Sequence, residues 1–559
     1  MMSQTRSSRS ATWARPPLLA WGTAATSLVL SFMPSLLPRP LALQAVGSGL
    51  SAVAGLVVGW VASSALATML RLVGLEVRIS PRPGRRPHLV LWISGGACAL
   101  AFWLLGHGAR VHAAALVGGS ALGWGEDLLA LCMALVVALT LLVLMNGVRW
   151  CLRGVIERVA RVMPRAIAGL LVMSLVVATS GWVMTSVVAA RALGRVSTRF
   201  AQLNADVPEG VLPPTSPLVS GSPGSAQEWR ELGNNGMQFT ATAPRGEDLW
   251  RVTHRDAKDP IRVYAAPTRE VVEPEELARI LVAELERTGA FDRENILLIG
   301  TTGRGWIDDF TVESFEHLVD GDCASAAVRY SHLPSPVAFL TDRSLPEDVG
   351  RASYRAVREA IDARPAARRP KLFLAGESLG SFGLQAAFST SEQMLSGADG
   401  ALWIGTPNST PLWRRITAAR HPGSPQVAPV VDNGRHIRFV THPSELRRDL
   451  HGRSLGPWEH PRVVYLQHAS DPIVWWSPEL VWREPDWLSE RAGRDVSSSL
   501  RWWPVLTWWM VSLDMIGSNG TPPGHGHIYE DDVVDAWAAI LGTDVQPAQR
   551  DAIVTAIES

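Results

Sequence analysis

Five stretches in the first half of the chain carry almost no charge, and each is near the roughly 20 apolar residues a bilayer-crossing helix requires. They are Leu18–Leu37, Val46–Leu70, Leu89–Leu105, Leu128–Val148 and Ala166–Ala190. Arg6, Arg9 and Arg15 ahead of the first stretch imitate a signal peptide. No small-residue cleavage site follows, and four more stretches do, so the first is expected to remain as a helix. Residues 1–195 therefore read as an α-helical transmembrane bundle of about five spans.

Arginine placement predicts its orientation. Arg71, Arg78, Arg82, Arg85 and Arg86 fill the second loop, and Arg149, Arg153, Arg158, Arg161 and Arg165 the fourth, whereas Arg39 and Arg110 alone occupy the loops between. The N-terminus and the even loops are expected in the cytoplasm, and everything after Ala190 outside the cell membrane, although Arg191, Arg195 and Arg199 follow the last span on the outer side. Val111–Trp124 is too short for a span and suggests an interfacial or re-entrant piece. Spans poor in ionisable groups disfavour a channel or transporter, and His107 and His112 read as solvated or interfacial. Fifty-two basic against 52 acidic residues remove the electrostatic case for a nucleic-acid partner. Cys98, Cys132, Cys151 and Cys323 have no metal-ligand spacing and no disulfide framework. Nothing in the pattern calls for a metal or a cofactor.

Residues 196–235 form a Pro/Gly/Ser-rich linker or extended wrap, with "VPEGVLPPTSPLVSGSPGSAQ" (207–227) lacking any periodicity. From 236 to 559 the composition is that of a globular enzyme. "PIRVYAA" (260–266), "NILLIG" (295–300), "SAAVRYSHL", "KLFLAG", "DGALWIG" (399–405) and "RVVYLQH" (462–468) read as strands. Helical patterns separate them, including "PEELARILVAELERTG" (274–289), Val312–Val319, Pro346–Ala363, the segment after Ser378, and a last helix over Asp531–Leu541. This alternation predicts a mainly parallel sheet with helices on both faces.

Within it, "KLFLAGESLGSFGLQAAF" (371–388) places Gly-Glu-Ser-Leu-Gly between a strand and a helix. That is the context of a nucleophile elbow at Ser378, with Gly376 and Gly380 allowing the tight approach of strand and helix. The Leu379 amide is then aimed at an oxyanion, and Thr302 and Gly303 of "GTTGRGW" are candidates for the second donor. A serine needs a base, and the base an orienting carboxylate. Asp471 stands in the turn after "RVVYLQH"; Asp432 and Asp449 fit less well because no clear strand leads into either. "GSNGTPPGHGHIYEDD" supplies a late loop histidine, with His527 the expected base and His525 the alternative; His468 reads as a packed residue behind them.

Trp475, Trp476, Trp482, Trp487, Trp502, Trp503, Trp508 and Trp509 crowd an insertion at about 475–515. It reads either as a packed cap or as a lid that meets the membrane surface or an acyl chain. The chain resembles bacterial, especially actinobacterial, α/β-hydrolase proteins with an N-terminal multi-span membrane domain. The resemblance rests on "PIRVY", "ELERTGAFDR", "GTTGRGW", "YSHLPS", "RPKLFLAGESLGS", "DGALWIGTP", "HASDPIVWW" and "PPGHGHIY". It implies a triad of Ser378, Asp471 and a histidine of "GHGH", while Arg329 and Thr406 depart from the family pattern. The expectation is a membrane-anchored serine hydrolase for a lipid or acylated envelope ester. The alternatives are an acyltransferase with the same triad, or a non-catalytic envelope protein that binds or assembles partners on a hydrolase fold. Substrate and oligomeric state stay open.

Overall fold

The structure, a computed structural model, describes residues 17–73, 85–183, 186, 190–267 and 272–559. They form two compact units: one of residues up to Ala115, Ser120–Val172 and Val505–Leu513, the other of Leu116–Gly119, Met173–Pro504 and Asp514–Ser559.

The first unit is helical. Its helices are α1 (Leu18–Leu30), α2 (Leu41–Leu72), α3 (Arg85–Leu116), α4 (Trp124–Val159) and the first part, up to Val172, of α5 (Arg165–Trp182). Small residues bring α1 and α2 together. A Cβ at Gly59 would lie 2.7 Å from the Ala20 Cα, and Thr23 Oγ1 donates to the Gly55 carbonyl at 2.7 Å. The α2–α4 contact is built the same way, from Gly49 against the Ala134 carbonyl, with Ala130 and Ala134 fully buried. Close backbone approach through small side chains is how helices associate where lipid supplies no hydrophobic drive. Large apolar side chains such as Val58, Leu66, Leu139 and Leu144 face outward. Among the described residues three helices are long and apolar enough to cross a membrane: Leu41–Leu70, Trp124–Val159 and Arg165–Trp182; Leu18–Leu30 is apolar but shorter.

Two expectations for this unit are corrected. No separate re-entrant piece begins at Val111, because α3 continues unbroken to Leu116. His107 is not solvated: it is buried, stacks on Trp124 at 3.6 Å between ring centroids, and hydrogen-bonds through Nδ1 to the buried Asp127, which Arg110 also pairs. A carboxylate withdrawn from water requires such partners.

The second unit is built on seven parallel strands: β1 (Ile261–Ala265), β2 (Asn295–Gly300), β3 (Cys323–Val328), β4 (Lys371–Glu377), β5 (Gly400–Ile404), β6 (Ile437–Val440) and β7 (Arg462–Leu466), in the order β1-β3-β2-β4-β5-β7-β6. Alternate residues of the central strands, Leu297 and Ile299, Phe373 and Ala375, Leu402 and Ile404, share one core with Phe315 and Trp537. Those two aromatics belong to the helices Asp309–Leu318 and Asp532–Leu541. Helices Pro274–Arg287 and Ser344–Asp362 pack together over the other face. The sheet is thus covered on both sides, as parallel strands require.

Residues 218–220 are not a free tether. Leu218 and Ser220 exchange backbone hydrogen bonds with Arg262 and extend the sheet beyond β1. Strand β6 escapes a reading by pattern because it has only four residues and a polar Arg438 among them, whose guanidinium is satisfied by the carbonyls of Gly434, Leu446 and Gly456. The tryptophan-rich insertion divides. Trp475 and Trp487 are buried and pack in the second unit, whereas the helix that begins at Leu506 lies in the first, where Trp509 Nε1 donates to the Gly47 carbonyl at 3.2 Å.

Candidate active site

Ser378 follows the last residue of β4 and precedes the helix Leu379–Gln385. Its backbone has φ 52° and ψ −119°, a conformation costly for any residue with a Cβ. What holds it is the packing around the turn: its amide donates to the Ile404 carbonyl at 2.9 Å and its own carbonyl accepts from Phe382 at 3.0 Å. Both flanking glycines are sterically required. A Cβ at Gly380 would lie 2.0 Å from the Gly300 carbonyl oxygen, and one at Gly376 2.7 Å from the Ser381 nitrogen. The turn therefore lifts Ser378 at the C-terminal edge of the sheet between β2 and β5.

Asp471 stands five residues past β7 and is fully buried. Its Oδ1 accepts from the Ile473 amide at 2.8 Å, capping a short helix, and its Oδ2 accepts from Tyr529 at 2.7 Å and faces His527 Nδ1 at 2.6 Å. With Nδ1 fixed on the carboxylate, Nε2 is the nitrogen left to exchange a proton. Burial opposes charge on His527, but the adjacent Asp471, aided by Glu377 and Asp308, outweighs it and raises the imidazole pKa above its ordinary value. His527 Nε2 lies 3.7 Å from Glu377 Oε1, the residue next to Ser378. The Ser378 hydroxyl itself makes no hydrogen bond among the described residues.

The two histidines of the late loop are separated by partner. His525 Nδ1 faces Asp495 at 3.4 Å, and Asp495 also accepts from Ser470, whose Oγ in turn accepts from the Gly526 amide at 2.9 Å. His468 is buried, stacked on Tyr529, and bonded to the Gly526 carbonyl and Asp532. Neither His525 nor His468 is brought to Asp471; His527 is.

The glycine-rich loop after β2 differs from expectation. The Thr302 amide donates to the Trp306 carbonyl at 3.2 Å and the Gly303 amide to Ser335 Oγ at 3.1 Å. The first acceptor lies within the loop and the second in the helix that begins at Ser335, so each amide already has a partner. The Leu379 amide has no acceptor among the described residues.

Several contributors were not visible as motifs. Gly405, at φ 53°, leaves space for the His527 imidazole: a Cβ there would lie 2.5 Å from His527 Cε1. Tyr529 donates to Asp471, and Asp495 accepts from Ser470 and faces His525 of the late loop. Glu377 is pushed up to about 7, chiefly by burial, with His527 pulling it back and Asp471 adding to the rise. Asp308, which caps the helix Asp309–Leu318, is raised well above the usual carboxylate range by burial and by Glu377. Among the described residues no group of three or more metal-ligating side chains occurs.

Chemically, the edge of this sheet offers a hydroxyl on a strained turn, an imidazole oriented by a buried carboxylate, and one unspent amide. No curated protein and no solved structure matches the chain. A family model described as "Alpha/beta-hydrolase family" matches residues 261–553, and one described as "Alpha/beta-hydrolase family N-terminus" matches residues 32–244. Seven parallel strands with an elbow after β4, together with these matches over most of its length, mean that the chain belongs to this alpha/beta-hydrolase family.

Proposed function

We propose that the protein is a membrane-anchored serine hydrolase that cleaves an ester of a lipid or acylated envelope molecule outside the cytoplasm. Ser378 Oγ attacks the carbonyl carbon as its proton passes to His527 Nε2. Asp471 orients the imidazole and offsets the charge it acquires, and the Leu379 amide stabilises the oxyanion. The proton then goes to the departing alkoxide, and water repeats the sequence on the acyl-enzyme. The observation that carries this reading is the strained backbone of Ser378 on the same sheet edge as the Asp471–His527 pair. Strain of this kind persists at positions where function requires it. A lipidic substrate is favoured by the apolar helices of the first unit.

The test is a fluorophosphonate probe applied to the full chain in detergent. Labelling is expected in the wild type and lost in Ser378→Ala, with ester hydrolysis falling by roughly a thousandfold or more. Folded wild-type protein that stays unlabelled would overturn the assignment. Acyl transfer needs only an alcohol in place of water, and product analysis with a competing alcohol acceptor separates the two outcomes.

A further inference from the structure

We propose that Glu377 is a second carboxylate partner of His527, placed on the Nε2 side from which the base must serve Ser378, and that its charge governs whether the base is free to accept the serine proton. The inference rests on the triad reading above and adds the device that sets its protonation.

The geometry is unusual for a base. Asp471 Oδ2 faces Nδ1 at 2.6 Å, and Glu377 Oε1 faces Nε2 at 3.7 Å, so both nitrogens of one buried imidazole look at carboxylates. Glu377 cannot move away freely: it ends β4, its backbone is paired with Ile404, and its side chain is only 12% exposed. The charged groups facing this centre come from every element around it. Asp471 comes from the turn after β7, Glu377 from β4 and Asp308 from the loop after β2, and Tyr529 of the late loop donates to Asp471. The largest charge contributions at Glu377 and His527 come from each other, Asp471 and Asp308. Two or three acids sharing one cation cannot all be ionised cheaply in a buried site.

One proton therefore decides the state of the centre. With the proton on the imidazole and Glu377 charged, His527 is an imidazolium held between two carboxylates and cannot take the proton of Ser378. With the proton on Glu377, or lost altogether, the imidazole is neutral, and its Nε2 lone pair can accept the Ser378 proton as Oγ bonds to the carbonyl carbon. Burial lifts Glu377 to about 7, and the carboxylates around His527 raise the imidazole above its ordinary value, so the two compete for the same proton. A negative charge beside Nε2 raises the imidazole pKa, so activity rises with pH as His527 loses its proton. Removing that charge moves the acidic limb to lower pH.

The experiment measures the rate of fluorophosphonate labelling of the full chain from about pH 5 to about pH 9. Wild type is compared with Glu377→Gln and Glu377→Met, and a variant is scored if it keeps the wild-type melting temperature. The expected result is an acidic limb displaced downward by roughly 1 pH unit or more, which makes labelling about tenfold faster on that limb. An unmoved limb, or labelling lost at every pH in a folded variant, overturns the role of Glu377 and leaves the triad reading intact. A wild-type profile that is flat over the range also overturns it. Absence of any Ser378-dependent labelling in the wild type overturns the hydrolase reading itself, so the two failures are distinguishable.

Discussion

Gly405 shows how narrowly the His527 imidazole is accommodated. It follows β5 by one residue, holds φ at 53°, and lies where a Cβ would come within 2.5 Å of His527 Cε1. Gly405→Ala is expected to cost about 1–2 kcal/mol through the left-handed backbone alone. It should also slow Ser378-dependent labelling by roughly a hundredfold, because the ring must shift by about an ångström. Thermal melting and labelling rate on the same sample check this; a variant that labels at the wild-type rate would show that the ring has room to spare. The triad candidates were legible because each sits at a position the chain order dictates: Ser378 between strand and helix, Asp471 past a strand end, His527 in a late glycine-rich loop. Gly405, Glu377 and Tyr529 were not, because their contacts with His527 and Asp471 exist only once β4, β5 and the late loop meet in space. The acceptors of the Thr302 and Gly303 amides were not legible either. Glycine content signals that a loop can turn its amides in many directions, and here they meet Trp306 within the loop and Ser335 of a later helix.

At the scale of elements, the late loop is braced from the tryptophan-rich insertion. Asp495 accepts from Ser470 and faces His525, while Ser470 takes the Gly526 amide, one residue from the base. Burial works against the Asp495 charge, yet the His525 and Ser470 hydrogen bonds and nearby histidines hold its carboxyl below the ordinary carboxylate range. A depressed folded value means that its stabilising contribution is present above the ordinary carboxylate pKa and is lost as pH falls through the folded one. Asp495→Ala should strand the Ser470 and His525 donors at about 1–3 kcal/mol. Faster hydrogen exchange at residues 524–529, with slower labelling of Ser378, is the expected signature. Unchanged exchange there would show that Asp471 and Tyr529 hold the loop unaided. The insertion could be recognised by its tryptophans, but not its division between two units. Trp475 and Trp487 pack as core, while Trp509 finds its acceptor at Gly47, more than four hundred residues away in sequence. Strand β6 was hidden by its brevity and by a central arginine that only tertiary carbonyls can satisfy.

The whole molecule joins a helical unit rich in outward apolar side chains to a doubly covered parallel sheet, and the number of membrane crossings ahead of the sheet carries a testable consequence. The three helices that are long and apolar enough to cross would give an odd count, and so would the five stretches read from sequence. Both counts send the second unit to the side opposite the N-terminus. They differ in the segment holding Arg71, Arg78, Arg82, Arg85 and Arg86. Five spans keep it in the cytoplasm together with the arginines at 149–165; three spans starting at Leu41 would expose it outside, against the bias that sets topology. Carrying five arginines to the outer side opposes that bias more strongly than the short apolar length of Leu18–Leu30 opposes insertion, so the five-span arrangement should prevail. A reporter that is active only outside the cytoplasm, fused after residue 80, should be silent, and the same reporter after residue 559 should be active. Activity at residue 80 would restrict the bundle to three crossings. Silence at the C-terminus would put the sheet in the cytoplasm and remove an ester outside the cytoplasm from consideration as substrate.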